Sequence, residues 1–119
     1  MKEQRKSRRV NKLLPIKISD LEYDIHTETK NVSTSGACFP VTKPIELMTK
    51  LNVVLLLPFR KNKSKVIKKI TCMGVVVRND EFFEPENTKH PHRVAIYFSD
   101  LKDPDKKILQ SYINTVINN

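Results

Sequence analysis

The sequence contains no tryptophan, only two glycines and two cysteines, and no long apolar run. Each shortage excludes something. Cys38 and Cys72 are too few and too unpatterned for a disulfide scaffold or a zinc site, and their apolar, strand-like surroundings suit buried reduced thiols. The stretch Val53-Val54-Leu55-Leu56-Leu57 falls far short of the roughly 20 residues a membrane-spanning helix needs. The N-terminus is charged with no apolar segment behind it, so no secretory leader is expected and the reading is cytoplasmic. With so little glycine there is no Gly-rich phosphate loop, and each glycine is expected at a position that requires one. His26, His90 and His92 have no metal-ligand spacing with the cysteines, and no nucleophile motif occurs. Neither catalysis, nor a metal, nor a resident cofactor is therefore expected.

What is present is charge. Charged residues make up 29% of the chain against 39% hydrophobic, which fits one small domain with a modest core and a large wetted surface. A net charge of +9 points to an anionic partner: a nucleotide, a nucleic acid or an acidic membrane. The cations are clumped. Lys2, Arg5, Lys6, Arg8, Arg9 and Lys12 face only Glu3 within the first twelve residues, and Arg60, Lys61, Lys63, Lys65, Lys68 and Lys69 form a second run. Arginine leads the functional part of the first run and suits bidentate and stacking contacts; lysine dominates the second and behaves as a solvated point charge. The Arg60–Lys69 run is read as a hairpin connection and assigned no site.

The basic opening, residues 1–12, has no periodicity. Six short runs then read as strands: Leu14–Ile18, Tyr23–Thr29, Gly36–Val41, Asn52–Leu57, Ile67–Arg78 and Arg93–Ser99. Pro58 is expected to end the fourth, and the polar Asn79–Pro91 stretch with two prolines to form a loop. Strands in succession with no helix between them give a mainly β fold, a small antiparallel six-stranded β-barrel. The tail changes period. Asp103 is placed as the N-cap with Pro104 at the first position, and Ile108, Leu109, Tyr112, Ile113, Val116 and Ile117 form one apolar stripe. That C-terminal α-helix is expected to pack on the barrel; a stripe left exposed would favour a homodimer. Residues 1–119 thus read as a single domain, with a basic segment at 1–12, a barrel at 13–100 and a helix at 103–117.

Two local patterns carry the chemistry. Arg5-Lys6-Ser7-Arg8-Arg9 contains Arg-x-x-x-Arg ahead of the first strand, and Asn31-Val32-Ser33-Thr34-Ser35-Gly36 lies between the second and third of the expected strands. Alone, the first is a basic tail and the second an Asx- or Ser-type turn whose glycine supplies an awkward backbone angle. Together, and in this strand context, they resemble the PilZ family, whose signature is Arg-x-x-x-Arg followed after two strands by Asp/Asn-x-Ser-x-x-Gly. Gly74-Val75-Val76-Val77, Val94-Ala95-Ile96-Tyr97-Phe98 and Asp100-Leu101 before the helix extend the likeness over nearly the whole chain.

The resemblance implies a stand-alone PilZ domain acting as a cyclic di-GMP receptor, with Arg5, Arg9, Asn31, Ser33 and Gly36 at the ligand and Arg8 in support. The residue types fit that ligand. Arginine meets phosphate, or guanine O6 and N7, bidentately and also stacks on the base. Asn31 would meet the guanine edge, Ser33 a phosphate oxygen or guanine nitrogen, and Gly36 would let the backbone turn closely beneath. An amide at position 31 accepts less strongly than the aspartate many members carry, which bears on affinity.

Segment 1–12 is expected to stand free without ligand and to close over it, signalling to an unidentified downstream protein. Two rivals remain. A nucleic-acid-binding barrel would need a stacking platform, whereas the aromatics here are scattered. A degenerate adaptor would not be expected to keep the Arg5/Arg9 and Asn31/Ser33/Gly36 set intact.

Overall fold

In the computed structural model, residues 8–81 and 92–118 are described. Alternation builds the sheet. In β1 (Pro15–Ser19) Ile16 and Ile18 are buried, and in β5 (Lys50–Lys61) Leu51, Val53, Leu55 and Leu57 point the same way. In β7 (His92–Phe98) the inward set is Val94, Ile96 and Phe98, and in β4 (Gly36–Val41) it is Ala37, Phe39 and Val41. With β2 (Asp24–Glu28), β3 (Asn31–Val32) and β6 (Ser64–Glu81) they form one seven-stranded sheet in the order β2-β1-β5-β6-β7-β4-β3. Every pairing is antiparallel.

The sheet curls into a half-barrel, so that β2 and β4 come together: the Thr27 hydroxyl donates to the Pro40 carbonyl at 3.1 Å. The expectation was six strands. The seventh is the two-residue β3, which is too short to leave a periodic signal and lies inside the turn motif itself.

Helix α1 (Asp103–Ile117) lies against the concave side with Leu109, Tyr112 and Ile113 buried, as the stripe requires. Phe59 meets Tyr112 edge-on, with ring centroids 5.9 Å apart. The N-cap is Lys102 rather than Asp103, and it makes no side-chain cap bond. Asp103 and Asp105 instead sit in the first turn, where carboxylates complement the helix dipole.

Three further expectations need correction. Pro58 does not end its strand. β1 stops pairing at Leu55, so the ladder on that side has already finished, and a missing N–H directed there breaks no bond. The Lys-rich connection is accordingly strand almost throughout, with Lys61 opposite Ser64 and Asn62-Lys63 as the turn. Asn62 takes φ 57°, which asparagine tolerates better than most residues. Finally, β6 runs past Asn79 to Glu81, so the expected loop starts later; residues 82–91 lie outside the described residues.

Candidate ligand-binding site

The N-terminal arm is fixed to the barrel at three successive points. Thr29 is fully buried at the end of β2. Its hydroxyl donates to the Lys12 carbonyl at 2.6 Å and accepts the Leu14 N–H at 3.0 Å, while its own N–H donates to the Leu14 carbonyl at 2.9 Å. Next, Val10 and Val32 exchange both backbone hydrogen bonds at 3.0 Å, and both side chains are buried. Finally, Arg9 Nη1 donates to Asn31 Oδ1 at 2.8 Å. A guanidinium only donates, so the amide oxygen of Asn31 faces it and the amide NH2 is turned elsewhere.

The two halves of the sequence motif thus meet, through residues 22 positions apart. Residues 8–12 do not stand free as expected, because burying Val10 and pairing it with β3 outweighs the freedom of a charged tail. Arg8 is exposed beside them, and Arg5 lies outside the described residues.

The Ser33–Gly36 turn is held from within. Ser33 Oγ accepts the Ser35 N–H at 3.0 Å, and the Ser33 N–H donates to the Gly36 carbonyl at 2.9 Å. The Ser35 carbonyl accepts the Phe98 N–H at 2.8 Å, anchoring the turn to β7. Ser33 is 1% exposed, so in this conformation it shapes the turn from beneath.

Gly36 is required, but for a different reason than the one expected. It has no positive φ; a Cβ there would come within 2.0 Å of the Ile96 carbonyl oxygen. The glycine therefore serves close approach of β4 to β7 rather than an unusual backbone angle.

Register extends the site sideways. Asn31 faces Cys38, Cys38 faces Ala95 and Ala95 faces Arg78, so these four residues form one row across the outer surface of β3, β4, β7 and β6. Three interstrand steps span about 14 Å. The adjoining rows carry Pro40, Arg93 and Asp80 on one side and Gly36, Tyr97 and Val75 on the other. Tyr97 is half exposed.

Arg78 reaches this face only because of a bulge. The register slips between Val76 and Arg78, and without the slip Val77 would stand opposite Ala95. The same slip turns Asn79 inward, where its Nδ2 donates to the Ile45 carbonyl at 2.9 Å. Arg78 and Asp80 approach at 3.7 Å, both well exposed, a pair of little energetic weight.

The electrostatics converge on Cys38. Burial, with a smaller push from Asp80, holds its thiol above the ordinary 9.0, while Arg93, Arg9 and Arg78 pull the other way without overcoming it. Three guanidiniums therefore act on one point beside Asn31. Cys72 has no such cations: burial, with Asp100 and Asp105 adding to it, pushes that thiol up to about 12. Both thiols are free and only half-buried, where burial had been expected. For Cys38 the cause is strand parity, which places it on the outer face opposite Asn31.

Arg93, Arg78, Tyr97 and Thr29 were not singled out from the sequence. Alternation in β7 already set Arg93 and Tyr97 opposite the buried set, and that signal was readable. The bulge that exposes Arg78 and the buried partners of Thr29 have no sequence signal.

Arg9, Asn31 and the Ser33–Gly36 turn thus lie together on one face of a small β domain. The PilZ domain family model matches residues 3–115, and the chain belongs to that family, whose domains act as cyclic di-GMP receptors and adaptors. The fold is also that of the Bacillus subtilis inhibitor of motility, MotI/DgrA, with a TM-score of 0.77 and 20% identity. That match covers 98% of this chain, which spans 53% of the other. No curated protein sequence matches the chain. Among the described residues no helix is long and apolar enough to cross a membrane.

Proposed function

We propose that this chain is a cytoplasmic cyclic di-GMP receptor without catalysis of its own. It takes the nucleotide on the outer face where the N-terminal arm crosses β3, and passes the resulting change to a protein partner. The observation that carries this reading is the Arg9–Asn31 hydrogen bond at 2.8 Å, which brings the two halves of the motif onto one surface.

Arg9 keeps four of its five N–H donors for phosphate or guanine O6 and N7. Asn31, with its oxygen engaged by Arg9, offers its NH2 to a guanine acceptor. Arg5 closes from the arm with Arg8 in support, and Ser33 and Gly36 hold the turn beneath. Arg93 and Arg78 widen the positive face toward β6, and Tyr97 supplies an exposed ring within it. The switch lies in the residues before Val10, since Val10 and Thr29 already hold the arm beyond that point.

The test is calorimetric titration with cyclic di-GMP at moderate salt, with GTP and cyclic di-AMP as controls. Saturable binding selective for cyclic di-GMP and weakened by Arg9→Ala is expected. No heat would leave an adaptor, and equal binding of all three nucleotides would leave a general polyanion surface.

A further inference from the structure

The β5–β6 hairpin beyond the barrel is the largest charged feature that ligand binding leaves unexplained. Between Glu46 and Asp80 the chain has no carboxylate, yet it carries Lys50, Arg60, Lys61, Lys63, Lys65, Lys68, Lys69 and Arg78. Six of these crowd the hairpin end, where all are exposed.

The pairing register divides them between the two faces. Arg60, Lys65 and Lys69 share the outer face with Val54, Leu56, Pro58 and Ile67, while Lys61 and Lys68 share the inner face with Phe59 and Val66. Ile67 is 52% exposed and Val66 38%, so β-branched apolar groups stand among the lysines near the tip. On the outer face, Pro15, Val54 and Leu56 line a shallow, mainly apolar depression of about 240 Å³ with Lys17 and His26 at its rim.

We infer that this hairpin docks the domain end-on on an anionic lipid bilayer, its lysines and the exposed Val66 and Ile67 behind them lying together in the headgroup layer. Three features select that occupant. A folded acidic partner would cover one face of a ribbon, whereas these cations stand on both, as suits an end-on approach to a diffuse negative surface. A nucleic acid would favour arginine and free aromatic rings. Here lysine dominates, and the hairpin's one aromatic, Phe59, is engaged by Tyr112 and by Lys68 Nζ 5.0 Å from its ring centroid. A polybasic cluster with exposed apolar side chains supplies the two signals, charge and insertion, that stable surface binding requires.

The experiment is co-sedimentation of the full chain, without nucleotide, with vesicles of phosphatidylcholine alone or mixed with phosphatidylglycerol. Binding only to the mixed vesicles and weakening with salt is expected. Lys65→Ser and Lys69→Ser should each lower partitioning on the order of fivefold. Val66→Ser with Ile67→Ser should lower it several-fold at unchanged charge, and all of these sites are exposed enough to leave folding intact. An Ile67→Trp reporter, the chain's only tryptophan, should shift its emission to the blue on mixed vesicles alone. No dependence on phosphatidylglycerol overturns the inference. So does indifference to the Val66 and Ile67 substitutions, or binding of duplex DNA or an acidic peptide in place of vesicles.

Discussion

The two basic regions of this protein hold their cations in opposite ways. At the arm, Arg9 is tied to a neutral amide and set beside a turn, a thiol and two more arginines on one face. At the hairpin, lysines project from both faces of a ribbon that carries no carboxylate between Lys50 and Val75. The first arrangement fixes direction, which is what recognition of a small anion with base edges needs. The second fixes only density of charge, which suits a broad surface. Net charge alone does not separate them; the difference lies in side-chain type and in what the backbone does beneath.

The sharpest way to break the comparison is at Gly36. In Gly36→Ala the new methyl meets the Ile96 carbonyl oxygen, a backbone atom that moves only if β4 and β7 part. The expected cost is about 3 kcal/mol. Thermal unfolding should fall by more than about 10 °C, with the ligand face lost as well. Gly74→Ala is the control: its nearest contacts are the Val53 and Ile96 side chains at 2.9 and 3.1 Å, which can turn aside, so a smaller drop is expected.

Arg9→Ala should weaken cyclic di-GMP binding by about 1.5–3 kcal/mol, roughly tenfold to a hundredfold, with little change in thermal stability because Arg9 is exposed. Arg9→Lys should not restore it, since lysine lacks the planar fork. Lys65→Ser should leave nucleotide affinity unchanged in the same titration. If Lys65→Ser weakens binding as much as Arg9→Ala does, the two regions are one diffuse polyanion surface and the distinction fails.

The contrast also marks what the sequence could disclose. Strand identity came from Leu51, Val53, Leu55 and Leu57, and from Val94, Ile96 and Phe98, whose period-2 burial is a local property of the chain. The helix came from the Leu109, Tyr112 and Ile113 spacing for the same reason. Both halves of the motif were visible as strings. That Arg9 lands on Asn31 was not, because it depends on Thr29 and Val10 holding the arm through bonds to residues far along the chain. The reach of the Lys-rich strands past Pro58 was hidden too, since it follows from where a different strand stops pairing. Arg78 was hidden by the bulge that changes its face.

Thr29 offers a gentler handle on the arm. Thr29→Val keeps the shape but leaves the Leu14 N–H without its side-chain acceptor and the Lys12 carbonyl without its donor. The expected loss is about 1–3 kcal/mol of stability. Amide exchange at residues 10–14 should speed up more than in the β5–β6 hairpin. Nucleotide affinity should fall several-fold, by loosening a support rather than removing a contact. Equal acceleration in both segments would mean that the arm is not separately held.

The smallest effect is read on the two thiols. Both folded-state values lie above the ordinary 9.0, Cys72 reaching about 12, so the folded protein holds its protons where the unfolded chain has begun to release them. The associated stability is fully present below pH 9, is lost as pH climbs from there toward 12, and should decline less steeply in Cys72→Ser. At neutral pH both thiols should therefore alkylate slowly, Cys72 most slowly. Cyclic di-GMP seated between Arg9, Asn31 and Arg93 would cover Cys38, which faces Asn31 across β3 and β4, and leave Cys72 untouched. Iodoacetamide labelling followed by mass spectrometry should show Cys38 protected by ligand with the Cys72 rate unchanged. Equal protection of both would report general stabilisation of the fold. Protection of neither would move the ligand off this face, because a nucleotide bound on the Asn31 row must shield the thiol standing within it.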